Sequence, residues 1–172
     1  MLHIYHGDGK GKTTASLGLL MRSAGAGLAT AIVFFDKGGT EYSERDSLKK
    51  LGVKVIATGV DRRDKKTWKF RLGVTTRDIR EAQRGLTEAK KLLTSGEYEI
   101  IVLDEILNAL WLKMLPLKSV IAMLKKRGNT EVILTGRGLP PEIAAIADLV
   151  TEMREVKHYF TKGILARKGV EY

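Results

Sequence analysis

Short runs of apolar, mostly β-branched residues alternate along this chain with longer segments in which apolar positions recur every three or four residues. The first pattern suits strands buried on both faces and the second suits helices that cover a sheet with one stripe. Their alternation predicts an α/β fold on a mostly parallel sheet. Strands are expected at Leu2 to His6, Ala29 to Phe35, Val53 to Ala57, Ile100 to Leu103 and Glu131 to Leu134, with a weaker sixth at Leu149 to Met153. A helix is expected from Lys12 to Ala24, stopped by Gly25 or Gly27, since glycine accepts the left-handed backbone just past a last turn. A second covers Thr76 to Leu93. There Ile79, Ala82, Leu86, Ala89 and Leu93 form the stripe, and Arg80, Arg84 and Lys91 are left to solvent. A third runs from Leu117 to Lys126, just after Pro116. The stretch from Thr58 to Thr75 follows neither period and is expected to be a flexible loop, of a length that is usually functional inside a compact domain.

Composition narrows this picture. With 172 residues, 44% of them hydrophobic, the chain can bury one substantial core, so a single domain over residues 1–172 is expected. No apolar run approaches the roughly 20 residues that cross a bilayer. Met1 leads directly into the first strand, leaving no room for a signal peptide, and the expectation is a soluble, cytoplasmic protein with no membrane partner. The absence of cysteine excludes disulfides, thiolate metal sites and a cysteine nucleophile, and histidines at 3, 6 and 158 lack zinc-ligand spacing. A net charge of +10 calls for an anionic partner or a strongly solvated surface. Six of the ten residues from Arg62 to Arg71 are basic, so part of the excess sits in one loop.

Candidate chemistry begins where the first strand meets the first helix. His6 to Thr13 fit the phosphate-loop pattern G-x-x-x-x-G-K-[ST] except at its first position, where histidine replaces glycine. Gly7, Gly9 and Gly11 let the loop turn tightly and bring backbone N–H groups up to phosphate oxygens. Lys12 and Lys10 add cations, and the helix starting here points its N-terminal dipole at the same anion. The Thr13 hydroxyl is placed to ligate a Mg²⁺ ion that bridges the phosphates. Gly7, Asp8, Gly9, Lys10, Gly11, Lys12, Thr13 and Thr14 are therefore the expected grip on the triphosphate of ATP. A second part of such a site is an acidic residue at the end of a neighbouring strand. Asp104 and Glu105 emerge there, at the carboxyl end of an apolar strand, and either carboxylate could serve the metal.

Several further segments carry a more specific likeness. They are Arg22-Ser23-Ala24-Gly25, Val102-Leu103-Asp104-Glu105, Leu115-Pro116-Leu117, Thr135-Gly136-Arg137-Gly138, Ala147 to Met153, Val156 to Phe160 and the terminal Gly169-Val170-Glu171-Tyr172. With the Gly7 to Thr14 loop, this ordered set resembles the P-loop-type ATP:corrinoid adenosyltransferases, also called cob(I)alamin adenosyltransferases, over nearly the whole chain. That family also lacks the first glycine of the loop. The resemblance implies a RecA-like P-loop NTPase fold and transfer of the 5′-deoxyadenosyl group of ATP to the Co(I) form of a corrinoid such as cobalamin. Triphosphate would leave intact, in adenosylcobalamin biosynthesis or salvage.

The resemblance also implies roles. Lys12 and Glu105 would be catalytic, Glu105 with Thr13 and Asp104 would hold Mg²⁺, and Arg22 and Arg137 would contact ATP. The glycines flanking Arg137 would let a ligand approach closely. His158 is read as structural, with a ligand contact as the alternative. In the family, aromatic or apolar residues close over the corrin ring. Here the corresponding segment departs from the pattern, with Asp61 to Lys66 highly charged, and Trp68 and Phe70 are the candidates for corrinoid contact or, equally, for anchoring the loop. The expected partners are ATP, the corrinoid, an electron donor for Co(I) such as a reduced flavoprotein, and a second copy in a homodimer. The family often carries an N-terminal arm before the first strand, and no contact from such an arm is expected here. A generic P-loop kinase or NTPase, and a corrinoid or nucleotide binder without transferase activity, stay open as alternatives. Nucleic acid is disfavoured, because nothing beyond Trp68 and Phe70 offers a stacking platform.

Overall fold

The computed structural model describes residues 1–39, 42–61, 71 and 73–172. Six strands, β1 (Leu2–His6), β2 (Thr30–Phe34), β3 (Lys54–Ala57), β4 (Ile100–Asp104), β5 (Glu131–Gly136) and β6 (Leu149–Glu152), form one sheet. Its order is β3-β2-β4-β5-β1-β6, and all the pairings are parallel. Among the described residues, six helices connect them: α1 (Lys12–Gly25), α2 (Glu44–Lys50), α3 (Thr76–Ser95), α4 (Ile106–Trp111), α5 (Leu117–Leu124) and α6 (Pro141–Ala144). A 3-10 turn at Tyr159–Lys162 lies beyond β6.

Side chains alternate between two layers, as strand geometry requires. Ala31, Val33, Ile101, Leu103, Val132 and Leu134 pack with Ala82, Leu86 and Ala89 of α3 and with Leu107 and Leu110 of α4. Ile32, Phe34, Val102 and Ile133 face the other way, toward Leu20 of α1 and Leu48 of α2. The central strands are thus apolar on both faces because each face is roofed by helices. The expected stripe of α3 is the one that is buried, and its start is fixed by a reciprocal cap between Thr75 and Asp78. Gly85 allows that helix to lie close to the sheet, since a Cβ there would stand 2.7 Å from Thr58 Oγ1 and 2.9 Å from the Phe35 ring.

The expected strands and helices all occur, shifted by one or two residues at their ends. β4 runs one residue further than expected, into Asp104, and β5 two further, through Thr135 and Gly136, so residues expected just beyond the strands are their last rungs. The helices α2, α4 and α6 are additional to those the pattern predicts. Among the described residues, no helix is long and apolar enough to cross a membrane.

Candidate nucleotide site

The carboxyl ends of β1, β4, β5 and β2 meet at one edge of the sheet, and the site is built from the loops and helices into which these strands run. After β1 the chain turns through Gly7 at φ 111° and Gly11 at φ 124°, a left-handed region that favours glycine. Gly9 needs no positive φ. It is glycine because the end of β6 lies against it: its N–H donates to the Met153 carbonyl at 2.7 Å, and a Cβ would stand 2.7 Å from the Arg154 carbonyl carbon. A Cβ on Gly7 would meet the Met153 carbonyl oxygen at 2.5 Å. His6, at the missing first glycine, is simply the last residue of β1, paired with Gly136 and Glu152. Extended backbone there makes no demand for glycine.

Helix α1 begins at Lys12 with no side-chain cap on its N-terminus and no acidic residue in its first turn. Such an end offers N–H groups and a positive dipole to an anion. Lys12 is buried and its Nζ donates back to the Gly9 carbonyl at 2.7 Å. Burial holds the Lys12 ammonium below its usual range, while Glu105 pulls in the opposite direction. Thr14 is exposed on the same first turn. Lys10, expected to be a second phosphate cation, is directed instead at the C-terminal segment: its Nζ donates to Glu171 Oε1 at 2.6 Å, to Tyr159 Oη at 2.7 Å and to the Val170 carbonyl at 3.1 Å. Tyr159 in turn donates to Glu171.

Opposite the loop stand the two acids. Asp104 is fully buried at the end of β4, and its Oδ1 accepts from the Thr135 hydroxyl at 2.8 Å. The same hydroxyl accepts from the Glu105 N–H at 2.9 Å, so Thr135 of β5 ties the pair together across the sheet. Glu105 adopts φ 63°, an unusual left-handed state for a glutamate, as the chain breaks from strand to helix. Its Oε2 is enclosed without a hydrogen-bond partner, although the residue keeps some contact with solvent. Burial, reinforced by Asp104, pushes the Glu105 carboxyl up to about 7.

Lys37, just past β2, is a member of the site that the motifs do not include. Its Nζ lies 3.2 Å from Asp104 Oδ2, 3.5 Å from Glu44 Oε1 and 3.3 Å from Thr13 Oγ1. The 3.2 Å approach is an ion pair and not an aligned hydrogen bond, which leaves Asp104 Oδ2 without one. Burial opposes the Lys37 charge, but Asp104, Glu44 and Glu105 together outweigh it and hold the ammonium above its usual range. The clue was available in the sequence: Lys37 comes after a predicted strand at its carboxyl end, where parallel sheets gather ligands.

Arg137 reaches back over the loop. Its Nη2 donates to the Asp8 carbonyl at 3.3 Å and its Nη1 lies 3.7 Å from Asp8 Oδ1. The flanking glycines, expected to let a ligand approach, are crowded by the chain itself. A Cβ on Gly136 would meet Asn108 N and Leu107 Cβ at 2.9 Å, and one on Gly138 would meet the Trp111 ring at 2.8 Å, so both make room for α4. Asn108 Oδ1 accepts from the Arg137 N–H at 2.7 Å and fixes the turn. His158 Nδ1 accepts from the Phe160 N–H at 3.1 Å, in keeping with a structural role. Asp8, Gly9, Lys10, Lys12, Arg137, Glu155, His158, Phe160 and Thr161 enclose a cavity of about 230 Å³ beside the loop. Arg22 is exposed in the last turn of α1, roughly 15 Å along the helix from Lys12 by helical rise, and is not gathered with the others. Trp68 and Phe70 lie outside the described residues.

A glycine loop running into an uncapped helix, a buried lysine, and acids two strands away, on a parallel sheet flanked by helices, are the features of a P-loop fold of RecA-like type. The flagellar accessory protein FlaH from Methanocaldococcus jannaschii shares this fold, with a TM-score of 0.53 at 13% identity, over 88% of this chain and 69% of that one. The model of the family described as ATP:corrinoid adenosyltransferase BtuR/CobO/CobP matches residues 1–172, and the chain belongs to that family. It is 35% identical over 172 residues to the corrinoid adenosyltransferase of Escherichia coli (strain K12), covering 98% of this chain and 84% of that protein. With corrinoid adenosyltransferase CobA of Salmonella typhimurium it shares 37% over 174 residues, again 98% and 84%.

Proposed function

We propose that this site carries out the reaction of its family as an ATP:corrinoid adenosyltransferase, with the Gly7 to Thr14 loop holding the triphosphate of ATP as a leaving group. In that reaction the Co(I) centre of the corrinoid gives an electron pair to C5′ of the adenosyl group. A Co–C bond forms, the C5′–O bond breaks, and its electrons leave with the triphosphate. The observation that carries this reading is the convergence of Lys12, at the open first turn of α1, and Arg137 on one cavity beside the glycine loop. A carbon centre attacked by the metal of the substrate needs positioning and neutralisation of the departing charge, and no proton transfer.

Thr13, Asp104 and Glu105 suit a Mg²⁺ ion. Glu105 Oε2 is a buried oxygen without a hydrogen-bond partner, and Asp104 Oδ2 already faces a cation, the Lys37 ammonium at 3.2 Å. No group of three histidines or acids that could hold a metal occurs among the described residues. A hydroxyl with one or two carboxylates suits magnesium, which takes its remaining ligands from phosphates and water. When bound, the ion would neutralise part of the charge on the departing triphosphate. The remaining work falls to the chain: Lys12 and the α1 N–H groups bind phosphate oxygens, Arg137 closes the loop side, and Thr135 fixes both acids. A reduced flavoprotein as the source of Co(I), and a homodimeric assembly, belong to this proposal through the family resemblance. Product analysis with ATP and reduced corrinoid tests it: triphosphate formed one for one with adenosylcorrinoid supports the reading, and ADP with phosphate supports hydrolysis or kinase chemistry instead.

A further inference from the structure

The ammonium of Lys37 lies 3.3 Å from Thr13 Oγ1 and 3.2 Å from Asp104 Oδ2, two of the oxygens assigned above to the divalent cation, and the fold puts it there. Arg45 donates to the carbonyls of both Lys37 and Gly39 and stacks over the Phe34 and Tyr42 rings at 5.3 and 4.8 Å. Gly38 is wedged against the segment leaving β3, where a Cβ would stand 2.5 Å from the Gly59 carbonyl oxygen. The Lys37 side chain is 17% exposed, and its Nζ lies 5.4 Å from the Phe34 ring centroid. Its three oxygen neighbours come from three elements, the Thr13 hydroxyl on α1, Asp104 on β4 and Glu44 on α2.

A magnesium ion held by the Thr13 hydroxyl would lie roughly 2 Å from that oxygen. Two cations cannot share that space, because like charges a few ångströms apart in a buried site repel strongly. Asp104 cannot move away, being fully buried and tied to Thr135. Lysine can, on a flexible four-carbon stem.

We propose that Lys37 is a built-in placeholder for the divalent cation. It neutralises the Asp104 side of the pocket in the nucleotide-free protein, bars free metal, and swings onto the triphosphate when metal and nucleotide enter together. The consequence is ordered loading, in which metal arrives with the nucleotide and does not precede it. This rests on the assignment of Thr13, Asp104 and Glu105 to the metal.

The test is Mn²⁺ binding, monitored by loss of the free-ion electron paramagnetic resonance signal, for the wild-type chain, Lys37→Met and Lys37→Gln, with and without ATP. Lys10→Met serves as a control for net charge. Without nucleotide, Lys37→Met and Lys37→Gln are expected to bind Mn²⁺ at least about tenfold more tightly than wild type, since a buried competing charge is removed. Lys10→Met, whose charge is directed at Glu171, Tyr159 and the Val170 carbonyl and not at the acids, should change affinity less than about twofold. Circular dichroism identifies a variant that fails to fold, and the other Lys37 variant then carries the measurement. Equal or weaker Mn²⁺ binding by a folded Lys37 variant overturns the placeholder. Glu105→Gln with ATP checks the underlying assignment separately. If it leaves the nucleotide-dependent Mn²⁺ binding of the protein unchanged, the metal site itself is wrong and the placeholder falls with it.

Discussion

Glu105 should cost the nucleotide-free protein stability at neutral pH, and the cost can be switched off by one atom. Burial and Asp104 raise its carboxyl from 4.5 to about 7. A carboxylate raised in the folded state binds its proton there when the unfolded chain has already lost it. Between about pH 4.5 and 7 the folded state therefore carries more protons, and stability falls as pH rises through that window. At about 1.4 kcal/mol per pKa unit, the full shift amounts to up to about 3 kcal/mol above pH 7, a ceiling because the residue keeps some solvent contact. Glu105→Gln keeps the shape and removes the charge. Urea unfolding of both proteins in chelator, without nucleotide, should show no more than a small difference at pH 4.5 and a variant more stable by up to about 3 kcal/mol at pH 8. For a chain of this size that is roughly 6–12 °C in Tm. Saturating Mg²⁺ and ATP should reverse the order, because the ligand stabilises only the protein that keeps the carboxylate in full. A difference between the two proteins that does not change with pH, or a variant less stable at pH 8, would refute the reasoning.

Other expectations come from single contacts. Gly9→Ala would drive a Cβ into the Arg154 and Met153 backbone and should weaken ATP binding at least about tenfold by calorimetry, whereas Gly18→Ala, with open space around it in α1, should raise stability by about 0.5–1 kcal/mol. Thr135→Val removes both the donor to Asp104 and the acceptor for the Glu105 N–H, and should cost about 2 kcal/mol or more in chemical unfolding while lowering activity. Glu171→Gln releases Lys10 from its ion pair, so ATP affinity should rise by about twofold or more at low salt and return toward wild type at high salt. A decrease in affinity would mean that the pair orders the loop instead of competing with the nucleotide.

The phosphate loop and its flanking elements were legible because local pattern suffices there: alternating glycines, a Gly-Lys-Thr junction and a helical period after it. β4 was legible because a strand roofed on both faces has no polar interruption before Asp104. The short helices α2, α4 and α6, at seven, six and four residues, are too brief for a period to accumulate. α4 also hides its start, since Glu105 begins it from a left-handed backbone with no side-chain cap. Lys37 escaped for another reason. Its meeting with Asp104 depends on β2 lying beside β4 in the sheet, and apolar runs do not specify strand order. Likewise Gly9, Gly136 and Gly138 announced close approach correctly but not by what: their neighbours are Arg154, Asn108 and Trp111 of this same chain. Lys10 read as a phosphate cation because of its place in the motif, while its carboxylate partner lies 161 residues away.

A loop that holds the triphosphate as a leaving group releases it whole, once for each adenosyl group transferred. Incubating the protein with ATP, Mg²⁺ and chemically reduced cob(I)alamin, then quantifying adenosylcobalamin and the phosphate products together, tests it most directly. Equal amounts of adenosylcobalamin and triphosphate are expected, both abolished by Lys12→Ala. ADP and phosphate as the products, without an adenosylated corrinoid, would contradict it.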